Sequence, residues 1–151
     1  MTTGAEAYVI DASVAVKWHL RDEEHLVQAD QLLYGLAAGR LTLAAPVHIH
    51  YEFPSALLSA HRRRAPRLSR LEAEAAITEF LATGVTLYHT TQLVSDAVPL
   101  VFEHDIAFYD AIYVALARAL PARFVTADRR LYEQIEQLPE VVRLGDYQPV
   151  L

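Results

Sequence analysis

The 151-residue sequence predicts an α/β fold, a mostly parallel sheet with helices on both faces, and three observations predict it. Short apolar runs rich in strand-favouring residues alternate with longer stretches that carry apolar residues at helical spacing. An apolar content of 53% with only 5 Gly and 7 Pro marks a packed chain, not a disordered one. A domain of this length buries roughly 68–70% of its unfolded surface, so residues 1–151 are read as one domain.

The elements follow in order. Residues 1–7 are small and polar and read as loose. Tyr8-Val9-Ile10 is a buried strand; Asp11 stops it, and Ala12-Ser13 leads into an apolar helical stretch, Val14 to Trp18. Asp22 to Glu24 reads as the acidic start of a second helix, with Leu26, Ala29, Leu32, Leu33 and Leu36 as its stripe and Gly39 as its stop. Leu41 to Ala45 is a second strand. A third helix covers about Val47 to Arg63; Pro54 either delays its regular part to Phe53 or bends it. Ser69 with Glu72 forms a capping box for a helix whose buried face is read as Leu71, Ala75, Thr78 and Leu81, ending at Gly84. Val85 to Tyr88 is a third strand, and Thr90 or Thr91 caps a helix reaching about Glu103, kinked at Pro99. The next helix begins near Ala107 with a core stripe of Tyr109, Ile112, Leu116 and Leu120. Arg123 to Thr126 is a fourth strand, Arg129 to Gln137 a last helix, and Val141 to Leu144 an edge strand.

Composition narrows function. No apolar run approaches the ~18 residues needed to span a membrane, and no basic segment followed by an apolar one opens the chain, so a cytoplasmic protein is expected. The absence of Cys excludes disulfides and thiolate metal sites, leaving oxygen or imidazole for any metal. A net charge of −6 argues against a general nucleic-acid coat protein. It leaves room for an enzyme whose acids gather around a cation.

Four acids stand among apolar neighbours: Asp11 at a strand end, Glu52 in an apolar helix, Asp110 in the first turn of a helix, and Asp128 just past a strand. Each alone has an ordinary explanation, as a helix cap, a helix-dipole charge or half of an ion pair. Together they differ. Asp11 and Asp128 both follow strands, and in a parallel sheet both lie on the carboxyl-end rim, where open α/β folds bind ligands. Clustered carboxylates raise one another's pKa unless a cation neutralises them, and hard ions such as Mg²⁺ or Mn²⁺ suit such oxygen donors. Ions held in this way activate water and stabilise the leaving oxygen in phosphodiester hydrolysis.

The stretch Val9-Ile10-Asp11-Ala12-Ser13-Val14-Ala15-Val16-Lys17-Trp18 resembles the opening of PIN-domain proteins, in particular VapC-type toxins of toxin–antitoxin pairs. Tyr109-Asp110-Ala111-Ile112-Tyr113-Val114-Ala115-Leu116-Ala117 is similar to that family's second signature, and Phe124-Val125-Thr126-Ala127-Asp128-Arg129-Arg130-Leu131 to its third. Ala45-Pro46 with Glu52, Ala56 and Leu57 resembles the helix that bears the family's Glu. The resemblance implies a three-layer α/β/α fold with a four- to five-stranded sheet, and a Mg²⁺- or Mn²⁺-dependent endoribonuclease. Asp11, Glu52, Asp110 and Asp128 would be its metal-binding and catalytic acids, with Ser13 and Thr126 as supporting hydroxyls. The implied reaction is hydrolysis of an RNA phosphodiester by metal-activated water, leaving a 3′-hydroxyl and a 5′-phosphate. A cognate antitoxin and a homodimer are implied as partners; no membrane is. The chain departs from the family at Ser55, where Asn is usual, at the preceding Pro54, and at Ala107, where Ser or Thr is usual, with Asp105 as candidate substitute cap.

Arg62, Arg63, Arg64 and Arg67 form a basic run suited to RNA backbone or to acidic groups of an antitoxin, or simply a solvated helix end. Arg129 and Arg130 flank Asp128 and are better placed to approach a phosphate. Of the seven His, only His48 and His50 are close, and their i, i+2 spacing shares no helix face, so a His metal site is rejected. Tyr109, Tyr113 and Trp18 are read as core. A dinucleotide enzyme lacks its Gly-rich turn after the first strand, and a phosphoaspartate enzyme lacks the second Asp two residues on, where Ser13 stands. The remaining rival is a degenerate PIN domain that binds RNA or protein without cleaving.

Overall fold

The structure is a computed structural model that describes residues 4–149. Five strands form one parallel sheet: β1 (Glu6–Ile10), β2 (Leu41–Pro46), β3 (Thr86–Tyr88), β4 (Arg123–Thr126) and β5 (Val141–Arg143), in the order β3-β2-β1-β4-β5. Seven α-helices are seen among the described residues: α1 (Ala12–Ala15), α2 (Leu26–Ala37), α3 (Ile49–His61), α4 (Arg70–Leu81), α5 (Val94–His104), α6 (Phe108–Ala119) and α7 (Arg129–Ile135). The architecture is the predicted three-layer α/β/α. Tyr8, Val9 and Ile10 in β1 and Phe124, Val125 and Thr126 in β4 are buried on successive positions, as strands covered on both faces must be.

Strand order makes the site. From β1 the chain moves outward through β2 to β3, then returns to lay β4 on the other flank of β1. The connections therefore diverge between β1 and β4, leaving a crevice at their carboxyl ends. Ile10 pairs with Val125, which puts the next residues, Asp11 and Thr126, side by side on that rim. Beneath it Tyr113 of α6 stacks on Phe124, with ring centroids 5.6 Å apart. A second aromatic pair, Phe53 of α3 on Phe80 of α4 at 4.4 Å, locks those helices together.

Several sequence expectations are corrected. Glu6 and Ala7 are not loose: they pair with Leu41 and Thr42, whereas residues 1–3 lie outside the described residues. Asp22 to Glu24 do not start α2, which begins at Leu26. Glu23 instead accepts hydrogen bonds from the buried Lys17 at 3.1 Å and from Arg67 at 2.8 Å, and Asp22 accepts from Arg67. A distant Arg thus outcompetes the local helix dipole. The capping box at Ser69 and Glu72 forms, but α4 buries Ala73, Ala76 and Phe80 and leaves Leu71 and Leu81 exposed. Phe53 of α3 offers a ring to Phe80, and that contact sets the helix's rotation. Thr90 and Thr91 give no side-chain cap to α5; a 3₁₀ turn, Thr91–Leu93, leads into it. On α6 the buried aromatic is Tyr113, and Tyr109 is largely exposed. The first helical stretch splits into α1 and a 3₁₀ turn, Val16–Trp18, and α7 ends at Ile135. Helix α3 runs continuously through Pro54, so its regular part is not delayed to Phe53.

Candidate functional site

Asp11 is 5% exposed, and its carboxylate caps no helix. Its oxygens are divided between two hydroxyls: Ser13 Oγ donates to Oδ1, and Thr126 Oγ1 donates to Oδ2 at 2.6 Å. Each hydroxyl is oriented from behind. The Ala127 N–H donates to Ser13 Oγ at 2.8 Å and the Asp128 N–H to Thr126 Oγ1 at 3.1 Å, which leaves both hydroxyl hydrogens free for Asp11. The turn after β4 is thereby stitched to the end of β1. Asp128 accepts from the Leu131 N–H at 3.0 Å and so does cap α7, while also facing the crevice.

Asp110 lies in the first turn of α6 and lines an open cavity of about 380 Å³ with Asp128, Asp105, Arg130 and Gln134. Asp105 occupies the left-handed region at φ 52°, ending α5; it does not cap α6, whose Ala107 cap offers no side chain. Glu52, in the first turn of α3, has Oε1 turned inward, 2.9 Å from His48 Nε2, without the alignment of a hydrogen bond. The His48 ring packs against Tyr109 and Tyr113 of α6, with centroid distances of 5.1 and 4.9 Å. Tyr113 is fully buried, and its hydroxyl has no hydrogen-bond partner. Ser55 is exposed on α3.

Electrostatics tie the four acids together. Burial pushes Asp11 up to about 7; Ser13 and Thr126 oppose this, and the charges of Asp110 and Asp128 reinforce it. Burial, Glu52 and Asp128 push Asp110 up to about 6, with His48 opposing. Burial and the charges of Glu52, Asp11 and Asp110 also raise the Tyr113 phenol. Among the described residues no Lys or Arg comes within ion-pairing distance of Asp11, Glu52, Asp110 or Asp128, and His48 is the one basic side chain that does.

A cluster of hard oxygen donors whose mutual repulsion no Lys or Arg offsets fits a divalent cation. Among the described residues no three His, Asp or Glu side chains are already drawn into ligating positions.

The basic residues separate. Arg62, Arg63 and Arg64 are exposed beyond the end of α3. Arg67 is held by Asp22 and Glu23, and Arg129 by Glu133 at 3.2 Å. Arg130 alone of the six lines the cavity with Asp110 and Asp128. His48 is not singled out by its spacing to His50, which shares no helix face; its i, i+4 spacing from Glu52 is the signal in the sequence. Tyr113 is core, as expected, whereas Asp105 lines the cavity and gives α6 no cap.

The switch-point crevice and its acids define a class: α/β/α proteins with a carboxylate cluster at the carboxyl ends of neighbouring parallel strands. The family model for the PIN domain matches residues 8–136, and the chain belongs to the PIN-domain family. No curated protein matches it. Among solved structures it resembles PAE2754 from Pyrobaculum aerophilum, at 21% identity and a TM-score of 0.67, covering 93% of this chain and 92% of that one. A toxin–antitoxin complex from Klebsiella pneumoniae matches at 17% identity and 0.62, over 94% and 99%. VapC20 of Mycobacterium tuberculosis, described as a toxin that cleaves the sarcin–ricin loop, matches at 19% and 0.59, over 83% and 93%. At these identities the likeness is one of fold. No helix among the described residues is long and apolar enough to cross a membrane.

Proposed function

We propose that this PIN-domain chain, one domain over residues 1–151, is a Mg²⁺- or Mn²⁺-dependent endoribonuclease, the toxin of a VapC-type toxin–antitoxin pair acting in the cytoplasm. The observation that carries the reading is the acid cluster at the β1/β4 switch point, which no Lys or Arg offsets, with Asp11 and Asp110 both held above the ordinary carboxylate range. Asp11, Glu52, Asp110 and Asp128 would hold the ion. A bound divalent ion supplies a water of lowered pKa and charge neutralisation at the scissile phosphate. The protein's own part is orientation. Ser13 and Thr126 present Asp11 as an acceptor, fixed by two donated hydrogens. Arg130 faces the cavity from which RNA phosphate would approach, Arg129 flanks it, and Arg62, Arg63 and Arg64 are free to follow the backbone beyond. Arg67, engaged by two acids, contributes least. A cognate antitoxin and a second copy of the chain are the proposed protein partners, and one structural neighbour belongs to a toxin–antitoxin complex from Klebsiella pneumoniae.

The test is cleavage of short RNAs by purified protein with Mg²⁺, Mn²⁺ or EDTA, beside Asp11→Asn and Asp110→Asn. The reading expects metal-dependent products bearing 5′-phosphates, lost in both variants. A folded wild type that binds RNA but neither takes up the ion nor cleaves would overturn it in favour of a degenerate PIN domain used as a binding module.

A further inference from the structure

We infer that His48 is a positioning residue for the metal centre, holding Glu52 in place through its imidazole N–H; the inference rests on the metal-site reading above. Three observations carry it. First, α3 lacks one backbone hydrogen bond beside Glu52. Residues Tyr51 and Glu52 both donate to the single His48 carbonyl, at 2.9 and 3.1 Å, and Pro54 has no N–H to give the His50 carbonyl. The turn that carries Glu52 thus makes one bond fewer to the helix beyond it. Second, His48 is packed against α6. Its ring packs against Tyr109 and Tyr113, and Tyr113 is stacked on Phe124 of β4, the strand that also supplies Thr126 to Asp11. The imidazole therefore links α3 to the strand whose end supports Asp11. Third, His48 Nε2 and Glu52 Oε1 are both buried and 2.9 Å apart, yet they are not aligned for a hydrogen bond and neither has a hydrogen-bond partner. Buried polar atoms left in this state are costly unless they serve each other or a ligand. With the N–H aligned on Oε1, the second oxygen is the one left for a cation, and the His fixes the carboxylate's rotation as outer-shell partners of metal ligands do.

The experiment is calorimetric titration with Mn²⁺ of full-length wild type, His48→Ala, His48→Gln and His48→Asn, with an unfolding curve in EDTA for each. Gln places an amide N–H near the Nε2 position, whereas Asn stops at the Nδ1 position. The expected result is a Mn²⁺ dissociation constant raised about tenfold or more in His48→Ala and His48→Asn and largely restored in His48→Gln. In a Glu52→Gln background, His48→Ala should cause no further loss. Equal affinity in wild type and His48→Ala overturns the positioning role and leaves the metal site standing. Failure of His48→Gln to exceed His48→Ala and His48→Asn likewise overturns it, since the ring's packing would then account for the effect. Absence of Mn²⁺ binding by the folded wild type, with and without a short oligonucleotide, overturns the site and the inference together.

Discussion

Replacing Asp11 by Asn should change how stability depends on pH, and the size of the change follows from its setting. In the metal-free protein Asp11 has a pKa of about 7 against an ordinary 3.8, because burial disfavours its charge and Asp110 and Asp128 add repulsion. Below 3.8 both folded and unfolded forms hold the proton, and the group is no burden. As pH rises, the unfolded chain ionises first and the folded one later, so stability is lost through the interval and the full loss is reached above 7. The complete interval corresponds to roughly 4 kcal/mol, of which about 3 kcal/mol falls between pH 4.5 and 8. Asn cannot ionise. The stability of wild type minus that of Asp11→Asn, from urea unfolding in EDTA, should therefore fall by about that amount across the range. The hydrogen bonds that Ser13 and Thr126 donate to the ionised carboxylate oppose the rise in pKa and are already part of that amount. His19, whose pKa burial lowers from 6.5, adds stability as pH rises below that value, but equally in both proteins, so the difference removes it. Magnesium at about a hundred times its dissociation constant should return about 2.7 kcal/mol to the wild type at pH 8 and nothing to the variant. A difference curve that stays flat from pH 4.5 to 8 would refute the reasoning, because Asp11 would then be charged in the folded protein without strain.

Other outcomes follow from the same geometry. Thr126→Val keeps the shape but removes the donor to Asp11 and the acceptor of the Asp128 N–H; chemical denaturation should show a loss of about 1–3 kcal/mol, and titration a weaker ion site. Ser69→Ala should lower stability by about 1 kcal/mol through the lost capping box of α4 and leave ion binding at the wild-type value. Replacing Arg62, Arg63 and Arg64 together by Ala should weaken RNA binding at low salt. The slope of log affinity against log salt should become shallower by about 2, at roughly 0.7 per lost single-strand phosphate contact. An unchanged slope would assign those side chains to solvent.

Much of this protein was legible along the chain because local signals dominate there. Tyr8 to Ile10 and Phe124 to Thr126 read as strands since β-branched and aromatic runs ended by an acid have few other uses, and the Ser69–Glu72 box names its own helix start. That Asp11 and Asp128 share a rim followed from both succeeding parallel strands. Tertiary structure decided what depends on neighbours far off in sequence. Only the strand order sets β4 against β1 and so brings Thr126 onto Asp11. Arg67, 44 residues from Glu23, turned an expected acidic helix start into an ion-paired loop. The Phe53–Phe80 stack set the face that α4 buries, where spacing alone favoured Leu71 and Leu81. The packing of His48 against two tyrosines of α6 gives Glu52 a neighbour that the His48–His50 spacing does not reveal. Periodicity and capping are properties of a few adjacent residues, whereas a buried charge is settled by whichever partner the fold brings to it.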